Sequence, residues 1–66
     1  MEDEEHQLWT VTRGGDVVAC VMITCCAGAE LQVRRGSEII LRELYPSKSD
    51  LYERARILRD EYDRHT

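Results

Sequence analysis

Sixty-six residues, of which 42% are hydrophobic, suffice for one small domain but not for two. The formal net charge of −4 and the pI of about 5.0 disfavour nucleic acid as a partner. No apolar run approaches the roughly 18 residues that a membrane span requires, and the acidic first residues are unlike a secretory signal, so we predict a cytoplasmic protein.

The first part of the chain predicts an acidic tail followed by a β-hairpin. Residues 1–6 contain four acidic side chains, which favours a solvated tail. Residues 7–13 are rich in β-branched and aromatic side chains, as is typical of a strand. Gly14-Gly15 can supply the positive φ angles of a two-residue turn. Residues 17–24 are apolar at nearly every position, which indicates an inner strand covered on both faces.

Two further strands follow. Residues 25–28 predict a connection, and residues 29–34 alternate cleanly between apolar and polar side chains, as in a half-buried strand. We predict a three-residue turn at residues 35–37 and a fourth strand at residues 38–45. Pro46 ends that strand because it has no N–H to donate to a neighbour.

The C-terminal segment predicts a helix. Ser47 is a candidate N-cap, with Asp50 three residues later in a capping-box-like arrangement. Pairs of acid before base, Asp50–Arg54 and Asp60–Arg64, would support the exposed side of the helix. The apolar side repeats with helical spacing at Leu51, Ala55, Leu58 and Tyr62.

These elements predict a single α+β domain over residues 7–66, with an antiparallel sheet of three to four strands and one C-terminal helix packed on one face. The turns also predict the register. The expected opposite pairs are Trp9–Cys20, Val11–Val18, Met22–Leu31, Cys20–Val33, Leu31–Leu41, Val33–Ile39, Glu30–Arg42 and Arg34–Glu38.

This register divides the sheet into a helix face, which the helix covers, and an outer face opposite it. The middle of the predicted outer face is apolar, and a contiguous apolar patch on a small protein usually marks an interface. The predicted partner-binding residues are Leu8, Val17, Ala19, Val21, Ile23 and Ile40. In the alternative interpretation, Arg34 and Arg42 lie over Val17, Ala19, Val21 and Ile23 and shield them.

The cysteines and histidines predict neither a disulfide framework nor a metal site. Cys20, Cys25 and Cys26 are odd in number, and two of them are adjacent. His6 and His65 lie near opposite ends of the chain, so they do not complete a zinc ligand set with the cysteines. We therefore predict no metal and no cofactor, and we expect a partner to add the stability that so small a core lacks.

Catalytic residues are not predicted either. No nucleophile has a neighbouring base that a third group could orient, and the phosphate-loop and dinucleotide fingerprints are absent from the sequence. We therefore predict that the protein is not an enzyme.

The stretch from residue 28 to residue 62, with the preceding tryptophan strand, resembles a type of small uncharacterised bacterial or phage protein. The shared features are Trp9 in the first strand, Gly28-Ala-Glu-Leu-Gln-Val33, and the helix core Ala55-Arg-Ile-Leu-Arg59. The resemblance implies a bacterial or phage origin. It carries no activity and no site residues to this chain.

The sequence favours a protein-interaction module, of a regulatory or inhibitory accessory kind, that binds itself as a homodimer or binds another protein through the outer face. An acidic mimic of nucleic acid is a weaker hypothesis, because a net charge of −4 is modest. The main alternative is nucleic-acid binding through sheet arginines, opposed by the glutamates in the same strands. Its candidate contacts are Arg13, Arg34, Arg35 and Arg42.

Overall fold

The computed structural model describes residues 4–25 and 28–64. Those residues form one antiparallel sheet, in which the strands lie in the order β1-β2-β3-β4, and one helix that packs on a face of the sheet. The predicted α+β class is therefore confirmed. The elements are β1 (Glu4–Arg13), β2 (Asp16–Cys25), β3 (Gly28–Arg35), β4 (Glu38–Tyr45) and α1 (Lys48–Arg64).

The first hairpin starts earlier than the sequence indicated. Glu4, Glu5 and His6 pair with β2 at its far end, so the predicted tail of residues 1–6 was wrong from residue 4 onward. Acidic composition alone predicted a tail, but the long second strand offers backbone partners to these residues. The turn is as predicted: Gly14 and Gly15 both have positive φ, at 53° and 90°, as in a type I′ turn.

A β-bulge interrupts β1 at Leu8. Trp9 lies opposite Cys20, as predicted, but Gln7 lies opposite Val21, which leaves Leu8 as an extra residue. The Leu8 side chain packs against the hydrophobic core. Its predicted place on the outer face was therefore wrong, because a bulge changes which face the next side chain occupies.

The second bulge, in β4, has the same effect on Ile40. The turn between β3 and β4 holds two residues instead of the predicted three, with Arg35 opposite Glu38. Gly36 has a φ of 63°, as at the first central position of a type II′ turn. Arg34 then pairs with Ile39 and Val33 with Leu41, which leaves Ile40 as the extra residue, packed against the core. Its predicted place on the outer face was also wrong.

The register between β2 and β3 is the one predicted, with Cys20 opposite Val33 and Met22 opposite Leu31. Between β3 and β4 the predicted pair Arg34–Glu38 was wrong by one residue because of the shorter turn, and the pairs beyond the bulge were wrong by two. Leu31 lies opposite Glu43, and Arg42 lies opposite Gln32. A shift of two preserves the face of each residue beyond the bulge.

The core lies between the helix face of the sheet and α1. Its buried side chains are Val18, Cys20, Met22, Ala29, Leu31, Val33, Leu51, Ala55 and Leu58. The predicted apolar side of the helix is therefore confirmed, and Tyr62 extends it by packing against the same cluster. The Trp9 indole Nε1 donates a hydrogen bond of 2.9 Å to the Ala55 carbonyl oxygen, which fixes the first strand to the helix.

Polar contacts set the ends and the orientation of the helix. The Asp50 N–H donates to the Ser47 Oγ at 3.3 Å, so Ser47 caps the helix as predicted. Arg64 and Asp60 form the predicted i, i+4 pair at 3.0 Å. Arg54 was expected to pair with Asp50, but its Nε instead lies 3.3 Å from Glu43 Oε1 on β4.

No helix within residues 4–25 and 28–64 combines the length and the apolar character needed to cross a membrane.

Leu58→Ala tests the packing of the helix on the sheet. Leu58 is 2% exposed, and truncating a buried leucine costs about 2–5 kcal/mol of unfolding free energy. Urea unfolding followed by circular dichroism should show this loss or an unfolded variant. Ile57→Ala is the control, because Ile57 is 41% exposed on the same helix and a surface substitution there should change stability by about 0.5 kcal/mol or less. Equal losses for the two variants would contradict the assigned packing.

Gly28→Ala tests the start of β3. Gly28 has a φ of 139°, and a Cβ at this position would lie 2.3 Å from the Tyr45 carbonyl oxygen. Both the strained φ and the backbone clash should destabilise the variant by about 1 kcal/mol or more. At Gly14 a Cβ would meet no atom within 4 Å, and asparagine tolerates positive φ. Gly14→Asn should therefore keep nearly the wild-type urea midpoint, and a Gly28→Ala variant as stable as that control would refute the clash.

Candidate functional site on the outer face

The outer face is the side of the sheet opposite α1. Because side chains alternate along a strand, the observed register assigns every second residue of each strand to this face. Its members are Glu5, Gln7, Thr10 and Thr12 from β1, Val17, Ala19, Val21 and Ile23 from β2, Glu30, Gln32 and Arg34 from β3, and Ile39, Arg42 and Leu44 from β4.

An ion pair crosses the middle of this face. The Arg34 guanidinium contacts the Glu5 carboxylate with both of its terminal nitrogens, at 3.1 and 3.3 Å, in the two-pronged geometry that arginine and carboxylate favour. Arg34 lies opposite Ala19 and Glu5 lies opposite Ile23, so Val21 is midway between the two charged residues. The pair therefore extends over Val21, which is 4% exposed.

The same network continues toward β4 through Gln32 and Glu30. The Gln32 side-chain oxygen accepts hydrogen bonds from Arg34 at 2.7 and 3.0 Å, and its amide nitrogen donates to Glu30. Gln32 is 5% exposed, and these bonds use both ends of its amide, as a buried polar group requires. Arg42 Nε donates to Glu30 Oε2 at 2.8 Å. The Gln32 hydrogen bond and the neighbouring Arg42 lower the pKa of Glu30.

The accessible apolar surface lies on either side of this network. Val17 is 48% exposed, Ile39 46% and Leu44 73%. Ala19 and Ile23 are partly buried. The centre of the face is thus polar and satisfied, and the apolar side chains flank it.

The predicted partner-binding residues consequently divide into three groups. Val17, Ala19 and Ile23 lie on the outer face and retain accessible surface. Val21 lies there too but is covered by its own chain, whereas Leu8 and Ile40 pack on the helix face.

Ile39 and Leu44 belong to the outer face but were not predicted there. Alternation from Arg42 could have identified Leu44, which is two residues further along the same strand. No sequence signal distinguished Ile39 from Ile40, because the bulge decides between two adjacent isoleucines.

The arginines proposed as nucleic-acid contacts are not assembled into one patch. Arg34 and Arg42 lie on the outer face and pair with Glu5 and Glu30. Arg35 follows Arg34 in the strand, so alternation places it on the opposite side of the sheet, and its strand partner is Glu38. The side chain of Arg13 lies outside the described part of the structure.

One further polar cluster joins β4 to the helix. The Tyr45 hydroxyl donates to Glu43 Oε1, and Arg54 Nε donates to the same oxygen at 3.3 Å. The hydrogen bond to Glu43 raises the pKa of Tyr45. Both tyrosine and arginine hold the carboxylate, so the cluster orients the helix. Among the residues that the structure describes, no three His, Cys, Asp or Glu side chains are grouped to hold a metal ion.

The two described cysteines differ in their surroundings. Cys20 is fully buried in the core, and its burial raises the thiol pKa to about 11. A thiol with that pKa is protonated at neutral pH and is a poor nucleophile. Cys25 is exposed, and both residues are free thiols. Cys26, also considered in the disulfide prediction, lies outside the described residues.

Comparisons with known proteins give no relative for this chain, since no family model, no curated protein and no solved structure matches it. The resemblance to small bacterial and phage proteins therefore stays a prediction.

A double-mutant cycle on Glu5 and Arg34 tests the ion pair that covers Val21. Glu5→Gln, Arg34→Met and the double variant should give a coupling free energy of about 0.5–1 kcal/mol, the upper part of the range for exposed pairs, because the contact is two-pronged. Urea unfolding at low and high salt measures it, and the coupling should weaken at high salt. A coupling near zero at low salt would mean that the pair does not hold Arg34 over Val21.

Proposed function

We propose that this protein is a cytoplasmic protein-interaction module that binds a protein partner through its outer face and acts as a regulatory or inhibitory accessory protein. The observation that carries the proposal is the exposure of three large apolar side chains, Val17, Ile39 and Leu44, on the sheet face opposite the helix. Apolar side chains separated by hydrogen-bonding groups, as on this face, are typical of non-obligate protein interfaces.

The composition of the face supports the same conclusion. Non-obligate interfaces combine apolar anchors with hydrogen-bonding groups and arginines, and they are no more apolar than the rest of the surface. Here Ile39 and Leu44 flank Arg42, and a polar network fills the centre. The network also keeps its own charges paired, so a partner does not have to compensate an isolated buried charge.

Nucleic-acid binding has less support as a function. The two arginines of the outer face already contact carboxylates of the same chain. Phosphate binding draws on clustered, unneutralised basic side chains. Glu5 and Glu30 would repel a phosphate backbone laid across this face.

Catalysis also has less support. Tyr45, Glu43 and Arg54 satisfy one another between the sheet and the helix, and the Cys20 thiol is buried and protonated at neutral pH. We therefore propose a function that depends on binding alone.

Two matched substitutions test this function. Ile39→Glu places a charge among the apolar residues of the outer face, and Ile57→Glu makes the same change on the helix; the two side chains are 46% and 41% exposed. Affinity-tagged wild type and both variants are incubated with extract of the native cells, and quantitative mass spectrometry identifies what each retains. The Kd for each retained protein is then measured after purification.

We expect at least one protein that binds wild type and the Ile57→Glu variant alike and binds the Ile39→Glu variant about tenfold or more weakly, a loss of about 1.4 kcal/mol. Circular dichroism of both variants establishes that they are folded. Equal affinity for all three chains would show that binding does not use the outer face and would overturn the proposal.

A further inference from the structure

We infer that a second copy of this chain occupies the outer face, in a two-fold dimer that exchanges ion pairs between the copies; this inference rests on the proposed protein-binding function. The first observation is the charge of the face. Glu5 and Glu30 balance Arg34 and Arg42, so the formal charge of the face is zero although the chain carries −4. Two copies can therefore approach through this face without the repulsion that their net charges impose elsewhere.

The second observation is the positions of the charges. Glu5 and Arg34 lie on opposite sides of Val21, two strands apart and four residues apart along the strand direction. With strands ~4.8 Å apart and ~6.8 Å for two residues along a strand, the line from Glu5 to Arg34 is ~17 Å long on a flat sheet. The perpendicular to that line through Val21 passes through Leu44.

A two-fold axis along this line from Val21 to Leu44 relates the two copies consistently. It places Glu5 of each copy over Arg34 of the other, as a self-complementary interface requires. Viewed perpendicular to the flat sheet, each Arg42 also lies within ~3 Å of the other copy's Glu30. Both acid–base pairs of the face can thus be made between copies as well as within them.

The same axis accounts for the most exposed apolar residue of the face. Leu44, which is 73% exposed, lies on the axis and meets its own copy. The strands of the two sheets cross at ~70° in this arrangement, which is closer to the orthogonal class of sheet packing than to the aligned class. In this arrangement charge pairs occupy the centre of the interface, and the apolar contact between the two Leu44 side chains lies on the axis at the β4 edge.

The size of the face places the dimer among the small, transient interfaces. Four strands of eight residues form a face of ~19 by ~26 Å, and two such faces that cross at ~70° overlap over ~380 Å², so two copies cover ~760 Å² of flat area. Specific interfaces bury about 1,200–2,000 Å² and transient ones less. We therefore expect a dimer that dissociates at micromolar concentration.

Sedimentation velocity of the wild type from low to high micromolar concentration is the first measurement, and a monomer–dimer equilibrium is expected. Leu44→Glu places two like charges on the axis while changing an exposed side chain that the fold does not need. This variant should be monomeric and as stable as the wild type. Arg56→Glu is the control, because Arg56 is exposed on the helix and should leave the equilibrium unchanged.

Mixing two charge variants tests the exchange of ion pairs directly. Arg34→Glu gives the face a formal charge of −2, and Glu5→Arg gives it +2. Each variant alone should dimerise at least about tenfold more weakly than the wild type. An equimolar mixture should recover dimers that contain one chain of each kind, because every reversed charge then meets an opposite charge across the axis. Native mass spectrometry distinguishes these mixed dimers by mass.

Three results would overturn the inference. A wild type that is monomeric at every concentration would refute the dimer. The proposed function would still be tested by the separate comparison of Ile39→Glu with Ile57→Glu. A wild-type dimer that Leu44→Glu leaves intact, or a mixture that forms no mixed dimers, would show that the copies associate through another surface. If the wild type retains no other protein from the extract and the charge variants form mixed dimers, the second copy is the partner.

Discussion

The structure depends on one geometric constraint, which is that a helix can cover only one face of a sheet. Within residues 4–25 and 28–64, the helix has 17 residues and packs against β1, β3 and β4 from one side. Its length of ~25 Å is enough to cross four strands. The apolar core is therefore concentrated on that side, and the sheet must cover its other face with its own side chains. Arg34 does so by extending over Val21 to Glu5.

The two β-bulges serve the same constraint from the edges of the sheet. Each bulge adds a residue to an edge strand, and the added residues, Leu8 in β1 and Ile40 in β4, pack against the core beside Trp9 and Leu41. The edge strands thus bring more apolar side chains to the helix face than strict alternation would allow. A bulge also interrupts the hydrogen-bonding row of an exposed edge, which hinders uncontrolled pairing with further strands.

The sequence predicted the elements that depend on local pattern. Gly14-Gly15, Pro46 and the apolar spacing of the helix are recognisable in isolation, and the turn at Gly14-Gly15 fixes the register of Trp9 against Cys20. The bulges could not be predicted in this way. Leu8-Trp9 and Ile39-Ile40-Leu41 are continuous apolar runs, so their composition does not show which side chain departs from alternation. The choice depends on the tertiary packing of the helix.

The sequence predicted which residues of β2 share the outer face, but not which of them are exposed. Alternation along β2 correctly assigned Val17, Ala19, Val21 and Ile23 to one face. Alternation does not predict how much of each side chain is accessible to solvent. Val21 is covered because the long Arg34 side chain reaches a carboxylate two strands away. Shielding by an arginine therefore applies at Val21, at the centre of the face. Of the predicted apolar residues Val17 is the most exposed, and Ile39 and Leu44 are exposed on the same face without having been predicted there.

This division explains how an outer face with exposed apolar residues can serve recognition. An apolar centre would adhere to any apolar surface, whereas a centre that contains charges disfavours a surface that brings like charges to the same positions. The charges contribute little net affinity, because each pair within the chain is already satisfied. In the proposed interaction, affinity comes from the flanking side chains such as Leu44 and Ile39, and selectivity comes from the positions of Glu5, Arg34 and Arg42. Under the proposed function, a surface built in this way binds weakly but discriminates between partners, as a regulatory contact that must also be released requires.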